Sequence, residues 1–550
     1  MTRLNTRTRS ASIAVLALAA GLLLGTTLQA ATPGITAAPP ATGVTSTSTF
    51  NLTAAASYIS QPDGTAIYSW GYGCAGPTAT FVPAAFATLG FCPTMQVPGP
   101  TLIVNEGQTV TVTLTNNLPG ATNASIVFPG FHVTASGGLA GLLTNEATPG
   151  TSVTYTFVAT SPGTRGYYSG TQTDFQVEMG LYGAIVVLPS HPPANCAPLG
   201  SDVAQKLGIG NPGTDDLRLA PAAYDHPETC YDREYLFQWM ELDSRIHRQA
   251  EEQAKAIMSC VPANGVLCPR TFDVRTEPYR PNYYLINGRS MPDDMDADYA
   301  PNYPHQPYNG NPHMHPGDLV LVRTVGQGRW RHPFHQHGNH VRILARDANL
   351  LLSQNDPLAG TTTVGGVTTT TAARLAGRME FTTDTYPGQA YDGIFYWSGK
   401  GLGWDIYGHT PNYATANQTC IPDANGYYTS NPNAPNYYEW CADHNHPLET
   451  NPVGQIGAGG PATQFDPLIA TNGLWYNGTP YLGPDAVVRN RGVTPLPPGG
   501  ALQNPLEESG IAFMWHSHNE REITTNDVFP GGMLMMMLVD PPTWFIDETL

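Results

Sequence analysis

The most regular pattern along the chain is a two-residue alternation of apolar and polar positions. In TVTVTLT (109–115), valine and leucine alternate with threonine, the period of a strand with one buried face. The preceding TLIVN (101–105) is a β-branched, apolar run, and Glu106-Gly107 separates the two stretches. The pair reads as strand, turn, strand, as in an antiparallel sandwich. Residues 152–157 and 184–188 continue the pattern, and a second β-rich region runs from about 283 to 539. One stretch, 244–258, has the composition of a helix. Both halves close on a glycine-containing turn and an apolar strand, GLYGAIVVL (180–188) and GGMLMMMLV (531–539). In the latter, alternation puts Met533, Met535 and Met537 on one face and Met536 on the other, a core pattern.

These elements predict an all-β protein of two tandem sandwiches, with a three-domain arrangement, the insertion hiding a partial third domain, as the alternative. Residues 51–190 form the first domain and 261–540 the second, with a linker at 191–260 that holds the one helix. Residues 32–50, rich in Thr, Ala, Pro and Ser, read as a flexible leader, and 541–550 as a tail. A long loop-rich insertion, about 399–505, interrupts the second domain as a disulfide-tied surface cap.

Composition narrows the partners. Among 550 residues, only 12% are charged and the formal net charge is -18, which argues against nucleic acid and anionic membranes and suits cationic ligands. Arg3, Arg7 and Arg9 precede an apolar run at 13–24, and small residues follow at Ala30-Ala31. This reads as a secretory signal peptide, residues 1–31, and predicts a secreted or periplasmic protein. No other run has the length to span a bilayer, so no membrane span is expected in the mature chain. Eight cysteines with export favour disulfides, paired most simply as neighbours in sequence: 74–92, 196–230, 260–268 and 420–441.

The candidate chemistry lies in histidines. RHPFHQHGNH (331–340) contains His332, His335, His337 and His340, and WHSHNERE (515–522) contains His516 and His518. Residues two apart on a strand share a face, so His335 with His337 and His516 with His518 are laid out as ligand pairs for one copper or zinc ion. Pro333 is expected to end or bend the first strand. Glu520 and Glu522 are nearby candidates. The pair His313 and His315 reads as loop, and the acidic segment 291–298 as surface. Hydrolase elbows, phosphate-binding loops and zincin helices are absent from the sequence.

HPFHQHG (332–338) resembles the His-Pro-x-His-Leu-His-Gly motif of multicopper oxidases. WHSHNE with the later GGM (531–533) resembles their terminal His-Cys-His motif, and VPGPTLIVNEGQTVTVTLTNNLP (97–119) the opening of their first cupredoxin domain. GTRGYYSG and GLYGAIVV (within 163–187), INGR (286–289) and DTYPGQAYDGIFYW (384–397) resemble further family elements. The resemblance covers most of 95–540 outside the insertion. It implies tandem cupredoxin-like Greek-key β-sandwich domains, and copper as cofactor in a number the sequence leaves open. It further implies a small-molecule or metal-ion reductant, dioxygen as oxidant, and a homo-oligomer as one arrangement. Carried over by position, His332 matches a blue-site ligand, His335 a ligand of the lone cluster copper, and His337, His516 and His518 ligands of the coupled pair.

The departures matter as much. Ser517 stands at the family's cysteine, Glu522 at its next blue-site histidine, and Val127-Phe-Pro129 and Tyr168-Ser-Gly170 at its two first-domain histidine pairs. A serine hydroxyl cannot replace the soft thiolate of a blue site. The sequence therefore points to a secreted copper-binding protein with a pared-down histidine site and oxidoreductase chemistry as one use of it. A non-catalytic copper carrier and a structural or assembly protein on a cupredoxin scaffold stand as alternatives.

Overall fold

A computed structural model describes residues 32–36, 47–76, 80–199, 217–262, 267–315, 317–364, 367–397, 421–430, 511–539 and 546. The segment read as a signal peptide, Cys420, Cys441 and most of the segment read as an insertion lie outside them.

Alternation and continuous apolar runs have different fates. Strand Thr109–Asn116 buries Val110, Val112 and Leu114 and turns its threonines outward. Leu102, Ile103 and Val104 are all buried, as expected of a strand covered on both faces. Strand, turn and strand form as read, and the two strands join different sheets. The chain turns at Gly107, where φ is +80°, and crosses from one sheet to the other. One sheet runs in the order Gly163–Tyr168, Tyr182–Leu188, Leu102–Asn105, Gly34–Thr36, Thr80–Val82; the facing sheet runs Ala66–Cys74, Thr47–Ser60, Thr109–Asn116, Ser152–Val158, Thr134–Gly137. Trp70, Val112, Leu114, Tyr155, Leu102 and Val187 fill the space between them. Gly34–Thr36 and the start of Thr47–Ser60 fall in the stretch read as a flexible leader, and backbone pairing makes them strands instead.

The second sandwich repeats the plan. Its larger sheet contains, in order, Tyr283–Ile286, Arg233–Leu242, Leu319–Gly326, Ala390–Tyr396, Val341–Arg346 and Asn349–Leu350; its partner contains His313–Met314, Leu534–Val539, Ile511–Ser517, His332–Gln336 and Thr382–Thr385. Phe237, Trp239, Phe334, Trp515, Met533, Met535 and Met537 pack between them, with Met536 on the opposite face. Strand Arg233–Leu242 lies inside the segment read as a linker. All ten of its residues are buried, so its sequence (REYLFQWMEL) carries no one-sided alternation to announce it.

Two local expectations are corrected. Pro333 is the second residue of strand His332–Gln336 and pairs with Asp384; it does not end the strand. In the acidic segment, Asp294 and Asp298 are buried, and burial pushes the Asp294 carboxyl well above the usual carboxylate range. The helix forms at Ser244–Ser259. It is capped by Asp243, which accepts the Arg245 N–H at 2.9 Å, and it buries Ile246, His247, Ala250 and Ala254. Disulfides join Cys74–Cys92, Cys196–Cys230 and Cys260–Cys268.

The sandwiches meet where strand Gly163–Tyr168 packs on Leu319–Gly326 and Ala390–Tyr396. Arg323 is fully buried there, 2.9 Å from Glu234 and 3.7 Å from Asp392, and Thr164 Oγ1 donates to Asp392 at 2.7 Å. Arg323→Met leaves two buried carboxylates without their cation and should cost about 3–5 kcal/mol. Denaturant unfolding checks this, and a loss below ~1 kcal/mol contradicts the assigned role.

Candidate metal centre

The site is built by two neighbouring antiparallel strands. His332–Gln336 pairs with Ile511–Ser517 so that His335 lies opposite His516, Phe334 opposite Ser517 and Gln336 opposite Trp515. Because side chains alternate, His332, Phe334, Trp515 and Ser517 point into the core, while His335 and His516 point to the outer face of the sheet. His337 follows the strand and is held by Trp515, whose Nε1 donates to the His337 carbonyl at 3.0 Å.

Ring nitrogens of His335, His337 and His516 all lie within 4.8 Å of one another. The Nε2 atoms of His337 and His516 are 3.2 Å apart. His516 Nδ1 donates to the Ser517 carbonyl at 2.7 Å, which fixes its tautomer and leaves Nε2 as the ligand-capable atom. His335 Nδ1 bonds Thr382 Oγ1 at 2.6 Å. The His518 ring is 4.9 Å from that of His335 and 5.5 Å from that of His516. Its side chain is 52% exposed, and Nδ1 sits 3.1 Å from Glu520.

The electrostatics favour neutral rings. Burial, then the neighbouring His516 and His518, lowers His335 to about 4. Burial, then His335, His516 and His518, lowers His337 to about 3. His516 is lowered as well, first by burial. Neutral imidazole is the form that binds metal.

His332 is not brought to this group. It lies on the opposite face, fully buried, with Nε2 3.0 Å from Glu241 and Nδ1 2.9 Å from Glu522. Glu522 in turn accepts the Ser517 hydroxyl in a short hydrogen bond. His332, Ser517 and Glu522, the three positions matched above to blue-site ligands, thus meet as a hydrogen-bonded ion cluster. Burial alone would lower the His332 pKa, but the hydrogen bonds and charges of Glu241 and Glu522 raise it to about 9. Sequence reasoning missed Glu241, which sits on the strand mistaken for a linker, and Thr382.

The other candidates lie elsewhere. His340 packs its ring against Phe381. His313 and His315 are buried, and His315 Nδ1 is 3.0 Å from Arg233. Val127 and Tyr168 bridge each other in the first sandwich, and a Cβ on Gly170 would meet Val127 and Ser125. Those positions form a small-residue and apolar contact.

Residues 93–192 match the family model described as "Multicopper oxidase". The chain is 38% identical over 96 residues to a copper-containing nitrite reductase of Pseudomonas chlororaphis, covering 17% of this chain and 25% of that protein. It is 35% identical over 97 residues to laccase abr2 of Aspergillus fumigatus, covering 17% and 16%. The chain therefore spans about a quarter or less of the length of these two relatives. A blue copper oxidase from Nitrosomonas europaea superposes at a TM-score of 0.40 with 13% identity, over 89% of this chain and 85% of that one. The two sandwiches, the second carrying the histidine strand pair, define an all-β protein. The family match lies in the first sandwich, over residues 93–192.

The His332 cluster carries a pH signature. A folded pKa raised to about 9 stabilises the fold fully below the unfolded value of about 6.5, and that stability is lost as pH rises through about 9. His332→Leu leaves two buried carboxylates unpaired and should cost about 3–5 kcal/mol at pH 7. The stability gap between wild type and variant should narrow between pH 7 and pH 10 in urea titrations. A gap that stays constant contradicts the ion cluster.

Proposed function

We propose that this chain is an exported copper-binding protein that holds its metal at His335, His337 and His516, with His518 at the rim, and that lacks the cysteine of a blue site. The observation that carries this reading is the convergence of three ring nitrogens within 4.8 Å. One pair already has the separation a shared ion needs: cis nitrogens around one ion with bonds of about 2.0 Å lie roughly 2.8–3.3 Å apart, and His337 and His516 face each other at 3.2 Å. An all-imidazole set suits copper, with zinc as the main competitor. Three disulfides among the described residues support folding in an oxidising compartment. Among the described residues no helix is long and apolar enough to cross a membrane.

Copper bound here would supply one-electron redox chemistry. The chain's own residues bind it, orient it through the Thr382 and Ser517 hydrogen bonds, and keep the rings unprotonated. The inner position offers a serine hydroxyl, a carboxylate and an imidazole already bonded to one another. That observation favours a second reading, a carrier that holds copper without turnover, because the soft ligand that tunes an electron-accepting site is missing.

The expected result is one copper per chain by metal analysis and none in a His335→Ala/His516→Ala double variant. Binding should persist to about pH 5, where ordinary histidines are largely protonated, because His335 and His337 titrate only near 4 and 3. Absence of bound copper in the wild type overturns the reading. Oxygen uptake with phenols or metal ions, and reduction of nitrite (the substrate named for one relative), separate an enzyme from a carrier.

A further inference from the structure

His518 poses a positioning problem. Its side chain is 52% exposed and its Nδ1 partner Glu520 is 70% exposed, so neither packing nor that solvent-facing pair alone fixes its ring over the site, and the backbone turn that carries it sets its place. That turn is tied to the core through one buried carboxylate. Glu522 Oε2 bonds both His332 Nδ1, at 2.9 Å, and the Ser517 hydroxyl, and Glu522 Oε1 accepts the Asn519 side-chain amide at 2.9 Å. Ser517 Oγ accepts the Asn519 N–H at 3.2 Å, and Glu522 N–H donates to the Asn519 carbonyl at 2.7 Å. The residues on both sides of His518 are therefore held by Glu522, while the His518 N–H itself donates to the Pro333 carbonyl at 2.8 Å.

The anchor behind this carboxylate is rigid. His332 is fixed on its other side by Glu241, on the fully buried strand Arg233–Leu242. Glu241 also accepts the N–H groups of Arg329 and Trp330 at 2.8 and 2.9 Å and the Tyr279 hydroxyl at 3.0 Å. A chain of hydrogen bonds thus runs from the facing sheet, through the core, to the turn at the edge of the site.

We propose that Glu522 is a positioning residue for the histidine site: anchored on His332, it holds Ser517 and Asn519 and thereby fixes His518 as the fourth nitrogen beside His335, His337 and His516. This rests on the copper reading above. Residues that orient metal ligands from outside the coordination shell typically change affinity about 10–100-fold when removed.

The test is Cu(II) titration with EPR on the full chain, for wild type, His518→Ala, Asn519→Ala, Glu522→Leu and Glu522→Gln. His518→Ala should lower affinity and change the spectrum from a four-nitrogen to a three-nitrogen pattern. Asn519→Ala and Glu522→Leu should do the same, at about tenfold lower affinity and with one copper still bound. Glu522→Gln, which keeps an oxygen for Ser517, should restore much of the loss. Adding Glu522→Leu to His518→Ala should cause no further loss. If Glu522→Leu does not fold, Asn519→Ala carries the test, because it leaves the His332–Glu522 pair intact. Wild-type affinity and spectrum in both Asn519→Ala and Glu522→Leu overturn the proposal alone, as does lower affinity with the four-nitrogen pattern retained. A wild type that binds no copper overturns it together with the copper reading.

Discussion

The pleat of two adjacent strands is the constraint on which the rest depends. In the register that sets His335 against His516, every second side chain goes inward. One face of the pair then carries imidazoles and the other carries Phe334, Trp515, Ser517 and His332. A slip of one residue would bury the imidazoles and expose the aromatic core. The register is held by what is buried: Phe334 and Trp515 stack edge-to-face at 5.8 Å, and Trp515 also meets Phe395 at 4.9 Å. The geometry of the outer site is therefore set by packing on the inner side.

The inner face solves a different problem. A fully buried histidine with two fully buried glutamates is stable only if charge is balanced against charge and the polar atoms are bonded. Glu241 and Glu522 do both for His332. Tyr279 extends the network by bonding Glu241 and Glu178, and Glu178, raised to about 8 mainly by its burial, sits in the first sandwich. The same polar seam thus joins the strand of the histidine site to the contact between sandwiches.

How much of this was legible follows from the same physics. The one-sided strands are visible because alternation writes the pleat into the sequence, as in Thr109–Asn116. The helix is visible from composition and begins where expected. Strand Arg233–Leu242 is invisible to that logic because both faces are covered. Strand, turn and strand at 101–115 form as read, but a turn at Glu106-Gly107 says only that the chain changes direction, not which sheet it joins. In the site, His-x-His spacing identifies shared faces within each strand, and only the register of two distant strands brings the pairs together. His332 reads as a ligand from its motif, but its odd spacing from His335 sends it to the other face, where Glu241 meets it from a segment 91 residues away.

On the proposed reading, metal binds on the outer face of the strand pair and protons stay on the inner one. Anomalous diffraction at the copper edge, from crystals of the full chain equilibrated with Cu(II), tests it most directly. One strong peak is expected within bonding distance of His335, His337 and His516, and none between His332, Ser517 and Glu522. A peak at the inner position, or none at the histidines, would contradict it.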